Sequence, residues 1–110
     1  MPRGQFWGLR CNTRHTTTDI DFRNIADWKT FISGMTIICT GTNRITITIP
    51  NKDFAKEGDE FTVLKGNDDY ESQNVVLSCS TGHAIGRLNI DGMGARIIFA
   101  NGKWRICHYN

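Results

Sequence analysis

The sequence predicts an all-β domain, mainly antiparallel, folded as a sandwich or as a trimeric β-prism, with one short N-terminal helix. The first observation is a series of short β-rich segments after Met35, which recur roughly every 8–12 residues and end at glycine or asparagine. The second is the strict alternation of isoleucine and threonine from Ile45 to Ile49. The third is the Asn101-Gly102 dipeptide, which favours the two positive φ angles of a type I′ hairpin turn.

The composition bounds the size of the fold and the class of partner. The 110 residues are enough for one domain with a modest core. Hydrophobic residues make up 39% of the chain and charged residues 22%, which is ordinary for a globular protein. A net charge of +2 is too small to indicate nucleic acid or an anionic membrane as the partner. No apolar run approaches the roughly 20 residues of a membrane-spanning helix.

Residues 1–34 are predicted to form an N-terminal arm or docking segment, and residues 35–110 the β module. The first 18 residues show no periodicity, and their apolar side chains are mainly those of Phe6, Trp7 and Leu9. Two interpretations stay open: a flexible or loosely docked arm, and an arm whose aromatic side chains insert into a neighbouring protein. We take these three residues as candidates for docking.

A short helix is predicted over about residues 24–32, because apolar residues recur there at three- and four-residue spacing. Gly34 is a candidate C-terminal cap, and residues 18–21 resemble a weak capping box. The alternation of Ile20 and Phe22 also fits a strand, so both structures stay open for the start of this segment.

Strands are predicted over four segments: Met35–Thr40, Arg44–Ile49, Glu60–Lys65 and Val75–Ser80. Short strands are predicted at Ile85 and over Leu88–Ile90, with a break at Gly86. A final hairpin is predicted over Arg96–Tyr109. The two-residue turn of that hairpin places Phe99 opposite Trp104. One face then gathers the large apolar side chains: Ile45, Ile47, Ile49, Ile97, Phe99, Trp104 and Ile106. We expect this face to be the core or the contact between copies, because so short a chain has little else to cover it.

No catalytic set, cofactor site or metal site is predicted. The three histidines are far apart in sequence, and none lies in a nucleophile pattern. The basic residues after position 50 are interleaved with acidic ones, which is typical of a solvated surface. The first ten residues hold no apolar core of signal-peptide length, so we expect free thiols at all four cysteines. Two metal sites can be imagined, but neither has an established spacing: zinc at Cys11, His15, Cys107 and His108, and calcium at Asp68, Asp69 and Glu71.

The order of the β segments between residues 42 and 106 carries a resemblance. It consists of a Thr-Ile-Thr-Ile-Pro strand, a Gly-Asp-x-hydrophobic-x-Val strand, an Ile-Gly turn and a hairpin ending in Gly-Lys-Trp-Arg-Ile. Together these segments resemble a small β module that recurs in bacteriophage tail-fibre, tailspike and head-fibre proteins. The resemblance covers about 60% of the chain, and the first 40 residues have no counterpart in it.

The resemblance implies a function, an assembly and a location. Such modules are usually homotrimeric, most have no catalytic activity, and they form stems, tips or receptor-binding surfaces. We therefore expect a virion structural protein of the tail-fibre or head-fibre and decoration type, with host attachment as an associated role. It would be made in the host cytoplasm and reside in the virion, and its N-terminal arm would contact other virion proteins. It would bind no nucleic acid and would not insert into a membrane.

The main alternative is a monomeric carbohydrate- or protein-binding β module, with an exposed aromatic residue such as Trp7 or Tyr70 as its platform. A nucleic-acid-binding barrel would need a basic face with stacking aromatic residues, which the near-neutral charge disfavours. An enzyme is the least favoured class, because no set of catalytic residues was found.

Overall fold

The computed structural model describes residues 12–41, 43–66, 75–88 and 93–109. These ranges consist mostly of β-strands, which confirms the all-β prediction. In chain order the elements are β1 (Thr13–Thr16), β2 (Ile20–Asp21), α1 (Ile25–Trp28), β3 (Met35–Cys39), β4 (Ile45–Thr48), β5 (Glu60–Lys65), β6 (Val75–Ser78), β7 (Ala84–Leu88), β8 (Gly94–Ala100) and β9 (Lys103–Tyr109).

The strands form two mixed sheets. The five-stranded sheet has the order β1-β3-β5-β8-β9, and the four-stranded sheet has the order β2-β4-β6-β7. In each sheet the first three strands are parallel, and the remaining strands are antiparallel. Consecutive strands from β1 to β6 alternate between the sheets, so the chain winds through three coils with one strand in each sheet.

The expectation of a mainly antiparallel arrangement is therefore wrong. Alternation of isoleucine and threonine determines which face each side chain takes, but it does not determine the direction of the neighbouring strand. The connection between β3 and β4 is short enough for a hairpin, yet it carries the chain across to the other sheet. As a result β3 pairs with β5, and β4 pairs with β6.

The inward faces of the two sheets share one hydrophobic core. Register places Ile37 beside Val63 in the parallel part, and Phe61 beside Ile97 where the strands become antiparallel. The core comprises Ile20, Phe22, Met35, Ile37, Cys39, Ile45, Ile47, Ile49, Phe61, Val63, Val75, Leu77, Leu88, Ala95 and Ile97. A single chain thus covers the apolar faces of both its sheets.

Residues 12–34 are integrated into these sheets. β1 pairs with β3, and β2 pairs with β4. Ile20 and Phe22 are buried, and the ring of Phe22 meets those of Phe31 and Phe61 edge to face, each at 5.7 Å between centroids. Residues 12–34 are therefore part of the β module, and the boundary predicted at residue 34 does not hold for them.

Helix α1 is shorter than predicted. Asn24 caps it, with its side-chain oxygen accepting the Ala26 N–H at 2.9 Å. Residues 18–21 do not cap the helix, and the last two of them form β2. After Trp28 the hydrogen bonds tighten to three-residue spacing, as in the bond from the Phe31 N–H to the Trp28 carbonyl. No helix among the described residues has the length and apolar character that a membrane crossing requires.

The observed bounds of β3 to β6 lie within two residues of the predicted ones. β7 runs through Gly86 as one strand, where a break was expected. The final hairpin is confirmed, with Phe99 paired to Trp104 and positive φ angles of 56° at Asn101 and 79° at Gly102.

Candidate functional site

The predicted apolar face lies inside the chain. Ile45, Ile47, Ile49, Ile97 and Phe99 are buried between the two sheets, and Trp104 and Ile106 pack against them at the edge of the core. The need to cover this face was one reason to expect self-association. That reason is removed, because the opposite sheet of the same chain covers it. The predicted docking residues Phe6, Trp7 and Leu9 lie outside the described residues.

A cleft of about 370 Å³ lies where one end of the four-stranded sheet meets the β8–β9 hairpin. Residues 49–52, which follow β4, form one side, and Cys79 and Ser80, which follow β6, extend it. Ile85 of β7 lies at the rim, and residues 102–104 of the hairpin turn and β9 close the other side. The site is thus assembled from segments that are far apart in sequence.

Backbone hydrogen bonds fix the β6 side of the cleft. The Ile49 N–H donates to the Ser78 carbonyl at 2.8 Å, which continues the pairing with β6 one residue past the end of β4. The Cys79 N–H donates to the His83 carbonyl at 2.9 Å and closes the turn into β7. The Arg23 guanidinium donates to the Ser80 carbonyl at 3.2 Å, which links this turn to the first coil. These bonds position Cys79 and Ser80 at the cleft.

Arg23 is itself held by an ion pair with Asp21. Its Nη2 lies 2.7 Å from Asp21 Oδ2, and its Nε also donates to the same carboxylate. The hydrogen bond from the Arg23 side chain lowers the pKa of Asp21, against the opposing effect of burial. The same bond raises the pKa of Arg23. The guanidinium therefore remains charged and oriented toward the β6–β7 turn.

Trp104 forms the aromatic side of the cleft. Its ring packs edge to face against Phe61 and Phe99, at 5.8 Å and 5.2 Å between centroids. Its Nε1–H is buried and has no hydrogen-bond partner among the described residues. The hairpin turn beside it is anchored by the Asn101 N–H, which donates to the Glu57 carboxylate. The indole is thus packed against two core phenylalanines on the side of the cleft.

The two described cysteine side chains lie in opposite environments. Both Cys39 and Cys79 are free thiols. Burial raises the pKa of Cys39 to about 12. Cys79 is partly exposed, and its sulfur lies 3.0 Å from the Thr81 hydroxyl oxygen. The hydrogen bond with the Thr81 side chain, aided by backbone N–H groups, lowers the pKa of Cys79 below its usual value.

No metal centre is found among the described side chains, where no group of three or more histidine, cysteine or acidic residues is close enough to hold an ion. The imagined calcium loop at Asp68, Asp69 and Glu71 lies outside the described residues. Of the imagined zinc ligands, only the His15 side chain is described, and it is exposed on β1.

Sequence reasoning missed the cleft. Its two lysines, Lys52 and Lys103, are about fifty residues apart and were expected to be part of a dispersed, solvated surface. No periodic pattern could place them together, because their proximity depends on how the two sheets meet.

No protein-family model matches the chain, and no curated protein matches it either.

Proposed function

We propose that the chain is a non-catalytic structural protein of a bacteriophage virion, of the tail-fibre or head-fibre and decoration type, with a contribution to host attachment. The proposal rests first on the resemblance of residues 42–106. The quoted segments correspond to β4, β5, part of β7 and the β8–β9 hairpin, in that order along the chain, although the Ile-Gly segment is strand and not turn. They are therefore parts of one folded unit and not scattered matches.

The observation that supports a structural role most strongly is the winding of β1 to β6. Each coil contributes one parallel strand to each sheet, so every coil is hydrogen-bonded to the next along both sheets. Stacked coils of this kind contact mainly their neighbours and present extended surfaces for binding. A spacer or tip on a particle requires such a surface.

The homotrimer implied by the resemblance is part of the proposal, with a contact surface that differs from the expected one. The outer face of the five-stranded sheet offers Ile38 and Leu64, which are adjacent in register and half-buried. Leu64 lies over Gly94, where a Cβ atom would be 2.3 Å from Leu64 Cδ2. Because Gly94 has no side chain, Leu64 covers its backbone. Ile38 and Leu64 together form a shallow apolar surface that a second copy can cover.

A matched pair of variants tests this contact. Leu64→Glu should reduce the solution mass toward that of one chain, because it places a charge in the proposed interface. Ile25→Glu, at an exposed position on α1, should leave the mass unchanged. Far-UV circular dichroism checks that both variants are folded. A folded Leu64→Glu variant that keeps the wild-type trimer mass would refute this contact surface.

A second candidate function is a monomeric binding module for a carbohydrate or a protein. Two observations favour it: one chain covers its own core, and a cleft of small-molecule size opens between the sheets. The solution mass of the wild-type chain separates this candidate from the trimeric structural protein.

A further inference from the structure

We propose that the cleft between the two sheets binds a small organic anion with an apolar, ring-shaped body. Lys52 and Lys103 are among the residues that line this cleft, whose exposed lining is otherwise largely apolar. This inference goes beyond the proposed structural role and does not depend on it, because it concerns a site within one chain.

The charge of the cleft indicates an anion. Of its ten described lining residues, Lys52 and Lys103 are the charged ones, and none is acidic. Glu57 lies at the adjacent hairpin turn, where its carboxylate accepts the Asn101 N–H, and it does not line the cleft. The whole chain carries a net charge of only +2, so two cations in one cleft are a local concentration of positive charge. A cleft lined by charges of one sign attracts ligands of the opposite sign.

The walls of the cleft indicate an apolar body. Ile49 and Pro50 are buried and form part of the wall, and Trp104 contributes an indole surface. Ile85 remains 41% exposed at the rim, although it is a large aliphatic side chain. A ring packed against Ile85 and Trp104 would remove this apolar surface from water.

The volume and the polar groups limit the ligand further. A cleft of about 370 Å³ falls at the small end of the range for small-molecule sites. Lysine ammonium groups act as point charges and do not require the two-pronged geometry that arginine prefers. Carboxylate, sulfonate and sulfate groups therefore all satisfy the site, and Asn51 and Ser80 provide further hydrogen-bonding groups.

The first experiment compares two probes that share a ring system but differ in charge. The anion is 8-anilinonaphthalene-1-sulfonate, and the neutral analogue is N-phenyl-1-naphthylamine. Binding is followed through the Trp104 indole N–H resonance in NMR spectra, which Trp104→Phe assigns among the three tryptophans. We expect a shift of this resonance, saturating at one probe per chain, and about tenfold weaker binding of the neutral analogue.

Matched double variants test the lysines. Lys52→Ala with Lys103→Ala should weaken binding of the anionic probe about tenfold. Lys29→Ala with Lys56→Ala removes the same charge from exposed positions outside the cleft and should leave binding within about twofold of wild type. Equal affinity for the two probes, an equal loss in both double variants, or an unmoved Trp104 resonance would overturn the proposal.

Cys79 provides a second readout that does not require stable binding. Iodoacetate is an anion and iodoacetamide is neutral. In both reactions the Cys79 thiolate sulfur attacks the CH2 carbon of the reagent and displaces iodide. The ratio of the iodoacetate rate to the iodoacetamide rate at Cys79 should fall about threefold or more in the Lys52→Ala, Lys103→Ala variant. It should remain unchanged in the control double variant. An identical ratio in the three proteins would show that the lysines do not act on anions in the cleft.

Discussion

The indole ring of Trp104 meets the phenyl ring of Phe99 edge to face, with 5.2 Å between ring centroids and 67° between ring planes. The two residues lie directly opposite each other in β8 and β9. Trp104 also contacts Phe61 of β5, so the last strand is bound to the core through aromatic packing. The same indole forms one side of the cleft. Trp104 therefore contributes both to the stability of the fold and to the candidate site.

Trp104→Ala should lower the free energy of unfolding by about 3 kcal/mol, at the low end for large aromatic residues because the ring is partly exposed. Trp104→Phe should cost only about 1 kcal/mol or less, since it keeps the ring contacts and removes a buried N–H without a partner among the described residues. Urea unfolding measures both. A Trp104→Ala variant as stable as wild type would contradict the packing described here.

Phe22→Ala should destabilise the chain by about 3–5 kcal/mol, because Phe22 is fully buried and its ring contacts Phe31 and Phe61. Ile25→Ala, three residues away and 56% exposed, is the control and should change stability by about 0.5 kcal/mol or less. Thermal unfolding of both variants measures these changes in stability. Equal stability of the two would mean that residues 12–34 contribute little to the core.

Cys79 should react with iodoacetamide at least about a hundredfold faster than Cys39 in the folded protein at pH 7.5. The lowered pKa of Cys79 increases its thiolate fraction, whereas burial and a pKa of about 12 keep Cys39 protonated and inaccessible. Peptide mapping by mass spectrometry gives both rates. Thr81→Ala should slow the reaction of Cys79 and leave Cys39 unchanged. Comparable rates for the two thiols in native protein would count against the assigned environments.

The Asp21–Arg23 ion pair should give a small pH-dependent contribution to stability. The pKa of Asp21 is lower in the folded state than in the unfolded state, because Arg23 donates to its carboxylate. The contribution is therefore present above the unfolded pKa of about 3.9 and is lost as the pH falls through the folded value.

Asp21→Asn measures this contribution. The variant should be slightly less stable than wild type at pH 6, and the difference should shrink at pH 2. The effect is small because both side chains are about 40% exposed and water screens the pair. Adding 1 M NaCl at pH 6 should reduce it further. A difference that grows on acidification would reverse the assigned sign.

The sequence predicted the strands and their faces but not their connections. Ile45 and Ile47 face inward and Phe99 pairs with Trp104, because alternation and a two-residue turn are local constraints. The parallel pairing of β3 with β5 depends on contacts between distant segments, which local patterns do not encode. Lys65 is fully buried at the end of β5, although a lysine usually indicates an exposed position.

The candidate site was less predictable than the fold. Each residue of the cleft has an ordinary local explanation: Lys52 lies in a polar loop, Cys79 follows a strand, and Lys103 begins the last strand. Their proximity arises only when the hairpin of one sheet meets the strand ends of the other. Only the tertiary arrangement reveals such a site.

The solution mass of the wild-type chain, determined by multi-angle light scattering at micromolar concentration and after tenfold dilution, tests the proposed assembly most directly. The structural role in a virion predicts a homotrimer, with about three times the 12.4 kDa mass of the chain. Because each chain covers its own core, the trimer should separate into folded chains when the contact face is altered. A wild-type protein with the mass of one chain at both concentrations would contradict the trimer and favour the monomeric binding module.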